Sequence, residues 1–134
     1  MSSNEKIKNF PNVPSNMFFG LELVSHSADS VELSMTIKPE FLQEYGVVHG
    51  AILTAAADTS AVYLFYPHLA KDQNMTSIEF KVNFLAAAFD KKGPVKACAK
   101  IVRKGKKIGV ADVEVFQAEK LILKGLFTYL FFES

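Results

Sequence analysis

Asp58 lies in a run of small apolar residues, and the stretch from Tyr45 to Ser60 reads YGVVHGAILTAAADTS. A carboxylate in such surroundings costs several kcal/mol unless it is paired or hydrogen-bonded, so either another part of the chain supplies a partner or the carboxylate does chemistry. Gly50 stands at the other end of the same run, directly after His49. A helix starting there offers unsatisfied backbone N–H groups backed by the helix dipole, which suit a carbonyl oxygen as it becomes an oxyanion. Glycine leaves the approach to them open. A carboxylate placed near such a group can act as a general base toward water or as a nucleophile. The chemistry implied is acyl transfer, with hydrolysis its simplest form.

The spacing sets a condition on that chemistry. Gly50 and Asp58 are eight residues apart, which on a helix is roughly 12 Å along the axis. One chain cannot bring both groups to the same carbonyl. Two copies about a two-fold axis, with their helices adjacent, can bring the helix start of one to the aspartate of the other, giving two identical mixed sites. Structural readings compete with this one. Asp58 could be held by Thr59, Ser60 or a backbone group, Gly50 could serve close packing, and His49 could be a cap or a core histidine.

The elements that must position these residues follow from periodicity. Phe19 to Ser25 reads as the first strand, and Ser30 to Lys38 alternates Val31, Leu33, Met35 and Ile37 against Glu32, Ser34 and Thr36. From Gly50 to about Phe65 the alanine-rich, nearly all-apolar pattern predicts a buried helix, stopped by Pro67. Strands follow over Thr76–Leu85, Val95–Arg103, Ile108–Gln117 and Leu121–Phe132. In the first of these Ile78, Phe80, Val82 and Phe84 alternate against Ser77, Glu79, Lys81 and Asn83. The predicted order is two strands, one long helix, then four strands in meander-like succession. Residues 1–15, with Pro11 and Pro14, read as an N-terminal arm leading into one domain over 16–134. A single helix must then cover the sheet, so the sheet has to curl around it. The last strand is apolar on both faces, which calls for a cover supplied by another subunit.

The totals remove several classes. With 134 residues the chain fits one domain with one core. Fifteen basic against fourteen acidic side chains give a net charge of +1, so no global field draws the protein to nucleic acid or to a membrane surface. Cys98 is the single cysteine, which excludes an internal disulfide and cysteine-based zinc sites and suits a reducing compartment. Its alternation with strand neighbours marks it as an inert outward or interface thiol. His26, His49 and His68 share no metal-ligand spacing, and no phosphate-binding glycine motif is present, so no metal or organic cofactor is expected. The N-terminal stretch lacks the apolar core of a signal peptide and no apolar run is long enough to span a bilayer, so a cytoplasmic protein is expected.

The helix stretch resembles that of hotdog-fold acyl-CoA thioesterases of the phenylacetate-degradation type. Their signature has an Asn or Gln, then G-x-x-H-G-G, then an acidic residue eight positions after the first glycine of HGG. The resemblance extends in element order from about Phe19 to Phe132. It implies an α+β hotdog fold, a curled antiparallel six-stranded sheet around one central helix, with a dimer as the minimal active unit; the apolar faces of the last strand point to a tetramer, and the choice between dimer and tetramer stays open. Carried over by position, it implies that Gly50 supplies the oxyanion-binding N–H and Asp58 the catalytic carboxylate. It gives Gln43 the amide role that holds the thioester or the attacking water, His49 the support of the helix start, and Ser77 a nearby hydroxyl. The basic hairpin RKGKK, through Arg103, Lys104 and Lys106, would meet the phosphates of coenzyme A, which arrives as part of the substrate. The chain departs from the signature at Ala51, which replaces the second glycine of HGG and bears on substrate and rate. The expected activity is hydrolysis of an apolar or aromatic acyl-CoA, or an acyl group on a carrier protein. The alternative is a non-catalytic hotdog module that binds acyl-CoA or lipid. A nucleic-acid role for RKGKK is disfavoured by the short cluster and the near-neutral chain.

Overall fold

The computed structural model describes residues 1–133. The element order is α1 (Ser3–Lys8), α2 (Pro14–Phe19), β1 (Leu21–His26), β2 (Ser30–Met35), α3 (Gly50–Phe65), β3 (Gln73–Phe84), β4 (Val95–Lys104), β5 (Ile108–Gln117) and β6 (Lys120–Glu133), with short 3-10 turns between some of them. All six strands join one antiparallel sheet that curls about α3, the α+β architecture expected.

The strand order is β1-β2-β4-β5-β6-β3, which corrects the meander. Of the four strands after α3, only β4, β5 and β6 follow one another as neighbours. After α3 the chain enters at the far edge beside β6, and residues 85–94 carry it back to pair β4 with β2. Connections of this length do not close a tight hairpin. Gln117 fastens the crossing from β5. It donates to the carbonyls of Phe89 and Gly93 and accepts from the Phe89 N–H.

The core lies between α3 and the concave face of the sheet. Val31, Leu33 and Met35 of β2, Val95, Ala97 and Ala99 of β4, and Ala111, Val113 and Val115 of β5 are all buried there. They pack on Leu53, Ala57, Ala61 and Leu64 of the helix. Alanines let the helix approach the sheet closely, and their high helix propensity supports a segment with little polar face to distinguish it. The helix packs on β2, β4 and β5 but leaves β3 largely uncovered. Ile78, Phe80 and Phe84 of that edge strand are consequently 50%, 49% and 54% exposed.

A bulge changes the phase of β3. Ser77 pairs with Tyr129 and Glu79 with Thr128, which leaves Ile78 as the extra residue. Phe80 pairs with buried Phe127, on which its ring stacks at 5.2 Å. Ser77 therefore shares the concave face with Phe80, Val82 and Phe84 instead of opposing them, as strict alternation predicted.

The residues before β1 form structure of their own. Ser2 and Glu5 make a reciprocal capping box at α1, and α2 begins at Pro14 and ends on Gly20 at φ +65°. α2 docks on the C-terminal half of α3, and α1 on the 3-10 turn Tyr66–His68 that follows it. Lys6 donates to the Tyr66 carbonyl, and buried Asn16 donates to the Phe10 carbonyl and the Tyr63 hydroxyl.

Candidate active site

Asp58 lies mid-helix on α3 and is half-buried. Its Oδ1 accepts a hydrogen bond from the Tyr129 hydroxyl at 2.5 Å, and the same hydroxyl lies 3.2 Å from the Asp58 carbonyl oxygen. Thr59 and Ser60 do not hold it, since their hydroxyls turn back to the Ala55 and Ala57 carbonyls. Oδ2 has no partner among the described residues, and no buried side-chain polar atom there is left unpaired, so Oδ2 reaches solvent. Asp58 lines a cavity of about 410 Å³ together with Val13, Asn16, Thr59, Val62 and Met75. The carboxylate is thus tethered through one oxygen and available through the other.

Tyr129 is buried in β6, and its phenol is pushed well above the ordinary tyrosine range by burial first, then by the Asp58 charge and the hydrogen bond to it. It stays a donor. The sequence reading missed it, because a tyrosine in an apolar strand reads as core. The pairing of Ser77 with Tyr129 puts both on the concave face, which brings the predicted hydroxyl residue into the row next to the one that holds Asp58.

Gly50 is the first residue of α3 and His49 its N-cap. His49 Nδ1 accepts from the Ala51 N–H at 3.0 Å, so this ring carries its proton on Nε2 and acts as a cap, as the structural reading had it. The Gly50 N–H has no partner among the described residues. It is the free donor at this helix start, because the next one is taken by His49. Ala51, at the second helical position, is exposed, and its methyl group points away from the core.

The helix start is fixed by a stitched loop. His49 N–H donates to the Phe41 carbonyl, Val48 N–H to Ala88, and Leu42 bridges Val48 across a turn with Tyr45 at φ +62° and Gly46 at φ +72°. Gln43 lies in this loop, exposed, and donates its backbone N–H to the Val47 carbonyl. Its side chain meets neither Gly50 nor Asp58 among the hydrogen bonds of the described residues.

Arg103, Lys104 and Lys106 are exposed at the β4–β5 hairpin, at the end of the sheet where α3 finishes. Lys104 and Lys106 line a groove of about 540 Å³ with His68, Gln73 and Phe131. Lys104 and His26 also oppose a charge on His68, whose pKa is lowered first by burial. Cys98 is half-buried on the convex face, where Glu32 faces it at 3.9 Å, and burial raises its thiol pKa, which keeps it protonated and unreactive. No helix among the described residues is long and apolar enough to cross a membrane.

Comparison with known proteins bears on the family and the fold. A family model described as the thioesterase superfamily matches residues 45–123, which include the whole of α3. A Sulfurisphaera tokodaii protein named "Putative esterase" is 32% identical over 81% of this chain and 79% of its own length. In fold, the chain superimposes on a thioesterase family protein of Silicibacter pomeroyi with a TM-score of 0.88 and 21% identity, over 99% of this chain and 100% of that one. A phenylacetic acid degradation-related protein of Ralstonia eutropha gives the same TM-score, 0.88, at 21% identity over 97% and 99% of the two chains. With α3, its free N-terminal amide and its tethered carboxylate all inside the matched segment, the chain belongs to the thioesterase superfamily.

Proposed function

We propose that the chain hydrolyses the thioester of an apolar or aromatic acyl-CoA at a site shared between two copies. The observation that carries this reading is that α3 holds two unfinished halves of one site. A free amide stands at its first residue and a carboxylate with one open oxygen in its middle, too far apart to meet on one substrate. A second copy supplies the missing half of each. The uncovered β3 edge, with its exposed Ile78, Phe80 and Phe84, favours such a pairing, because a long apolar edge strand is otherwise a template for aggregation.

In this reading the thioester carbonyl oxygen takes the Gly50 N–H of one copy, and Asp58 Oδ2 of the other faces the carbonyl carbon. Asp58 either removes a proton from the attacking water or attacks directly to form an anhydride that water then opens. In both routes the developing oxyanion is held by the Gly50 amide and the C–S bond breaks to release the thiolate of coenzyme A, which takes its proton from Asp58 in the first route and from water in the second. Arg103, Lys104 and Lys106 meet the phosphates at the solvent end, Gln43 holds the thioester or the attacking water, His49 supports the helix start, and Ser77 offers a hydroxyl nearby. Neither metal nor organic cofactor enters the scheme.

The test is steady-state hydrolysis of a panel of acyl-CoA thioesters by wild type and Asp58→Ala. The reading predicts turnover of at least one apolar or aromatic acyl-CoA and a fall in kcat of about a hundredfold or more in the variant, with binding little changed. Tight binding of acyl-CoA without turnover of any thioester would point instead to a non-catalytic module.

A further inference from the structure

We propose that Tyr129 is a positioning residue for this reaction, its hydroxyl holding Asp58 Oδ1 so that Oδ2 alone is presented to the thioester. The inference rests on the reading of Asp58 as the reacting carboxylate.

An aspartate has two soft torsions, and a carboxylate free to rotate would face its substrate only part of the time. Here the two ends of the constraint come from different elements. Asp58 stands on α3, whereas Tyr129 lies in β6 between β5 and β3, in the interior of the sheet. The tyrosine ring is 1% exposed and packs on Phe65 at 5.9 Å between centroids. It cannot swing away without opening the core. A hydroxyl has one proton to give, and of its two contacts the carboxylate at 2.5 Å is nearer than the carbonyl at 3.2 Å. The raised pKa of the phenol keeps that proton in place across the neutral range.

A merely structural tyrosine would satisfy the same oxygen, so the test has to separate satisfaction from presentation. Tyr129→Phe keeps the ring and its packing and removes only the hydroxyl. It is compared with wild type, Asp58→Ala and the double variant, using one acyl-CoA that wild type hydrolyses, and thermal melting verifies that each is folded. The expected result is a fall in kcat of about 10- to 100-fold with KM changed by less than about threefold. On the Asp58→Ala background the same substitution should change the residual rate by less than about twofold, because the group it acts through is gone. A kcat within about twofold of wild type in the single variant overturns the inference, as does a loss of the same size repeated on the Asp58→Ala background. If Asp58→Ala itself keeps wild-type turnover, the assignment of Asp58 fails and the role of Tyr129 falls with it. An inactive Asp58→Ala beside a fully active Tyr129→Phe removes only the positioning role.

Discussion

The ring of Phe84, at the end of β3, lies over the α-carbon of Gly50 so closely that a β-carbon at position 50 would stand 3.0 Å from Phe84 Cε1. The backbone at Gly50 is helical, so no strained torsion demands glycine there. What the missing side chain preserves is the gap between the free amide and a half-exposed aromatic ring. Stability alone would tolerate other residues at this first helical position.

That distinction allows a clean removal of the amide. Proline is favoured at the first residue of a helix, and His49 before it, at φ −61° and ψ 133°, already has the extended conformation proline requires. Gly50→Pro should therefore fold with stability within about 1 kcal/mol of wild type, since Phe84 is exposed enough to shift. Its kcat should fall by about 10²- to 10³-fold, as for loss of an oxyanion donor. Urea unfolding and steady-state kinetics on one preparation check both halves. Unchanged turnover would remove the amide from the mechanism.

The basic hairpin predicts a dependence on the nucleotide. Lys104→Glu with Lys106→Glu should raise KM for an acyl-CoA roughly tenfold, the loss of a charge-assisted contact or two, and make it more salt-sensitive in the wild type than in the variant. The same acyl group on N-acetylcysteamine, which lacks the phosphates, should be turned over equally by both. Equal KM values for the CoA thioester would leave the hairpin a solvated turn.

Asn16 joins the N-terminal helices to α3 through its bonds to the Phe10 carbonyl at 3.0 Å and the Tyr63 hydroxyl at 3.2 Å, while itself 3% exposed. Asn16→Ala leaves both partners buried, which should cost about 1–3 kcal/mol in chemical unfolding at fixed protein concentration. Because Asn16 also walls the cavity beside Asp58, KM should rise while the melting curve shifts down. A variant as stable as wild type would mean that the helices dock without this link.

How much of this was readable in the chain depended on distance along it. The α3 helix, its cap and the Gly50–Asp58 spacing are local, carried by one apolar run and a proline stop, and they stand where periodicity put them. Tyr129 lies 71 residues beyond Asp58 and meets it only because β6 sits in the interior of the sheet, a register no local pattern encodes. The place of β3 beside β6 was hidden for the same reason. The inward turn of Ser77 was hidden by a one-residue bulge, which alternation cannot reveal. The N-terminal helices are a different case. Ser2 and Glu5 have the spacing of a capping box, and Pro14 with Gly20 brackets a helix in the usual sense, so those signals were present and went unread.

The claim that one site needs two copies is tested most directly by a mixed dimer. Gly50→Pro and Asp58→Ala chains, each carrying a different affinity tag, are produced together and the heterodimer is isolated. If the amide of one copy works with the carboxylate of the other, that dimer holds one site with both lesions and one with neither. It should recover about half of the wild-type turnover per dimer, although both parents are nearly inactive. A mixed dimer as inactive as its parents would contradict the shared site.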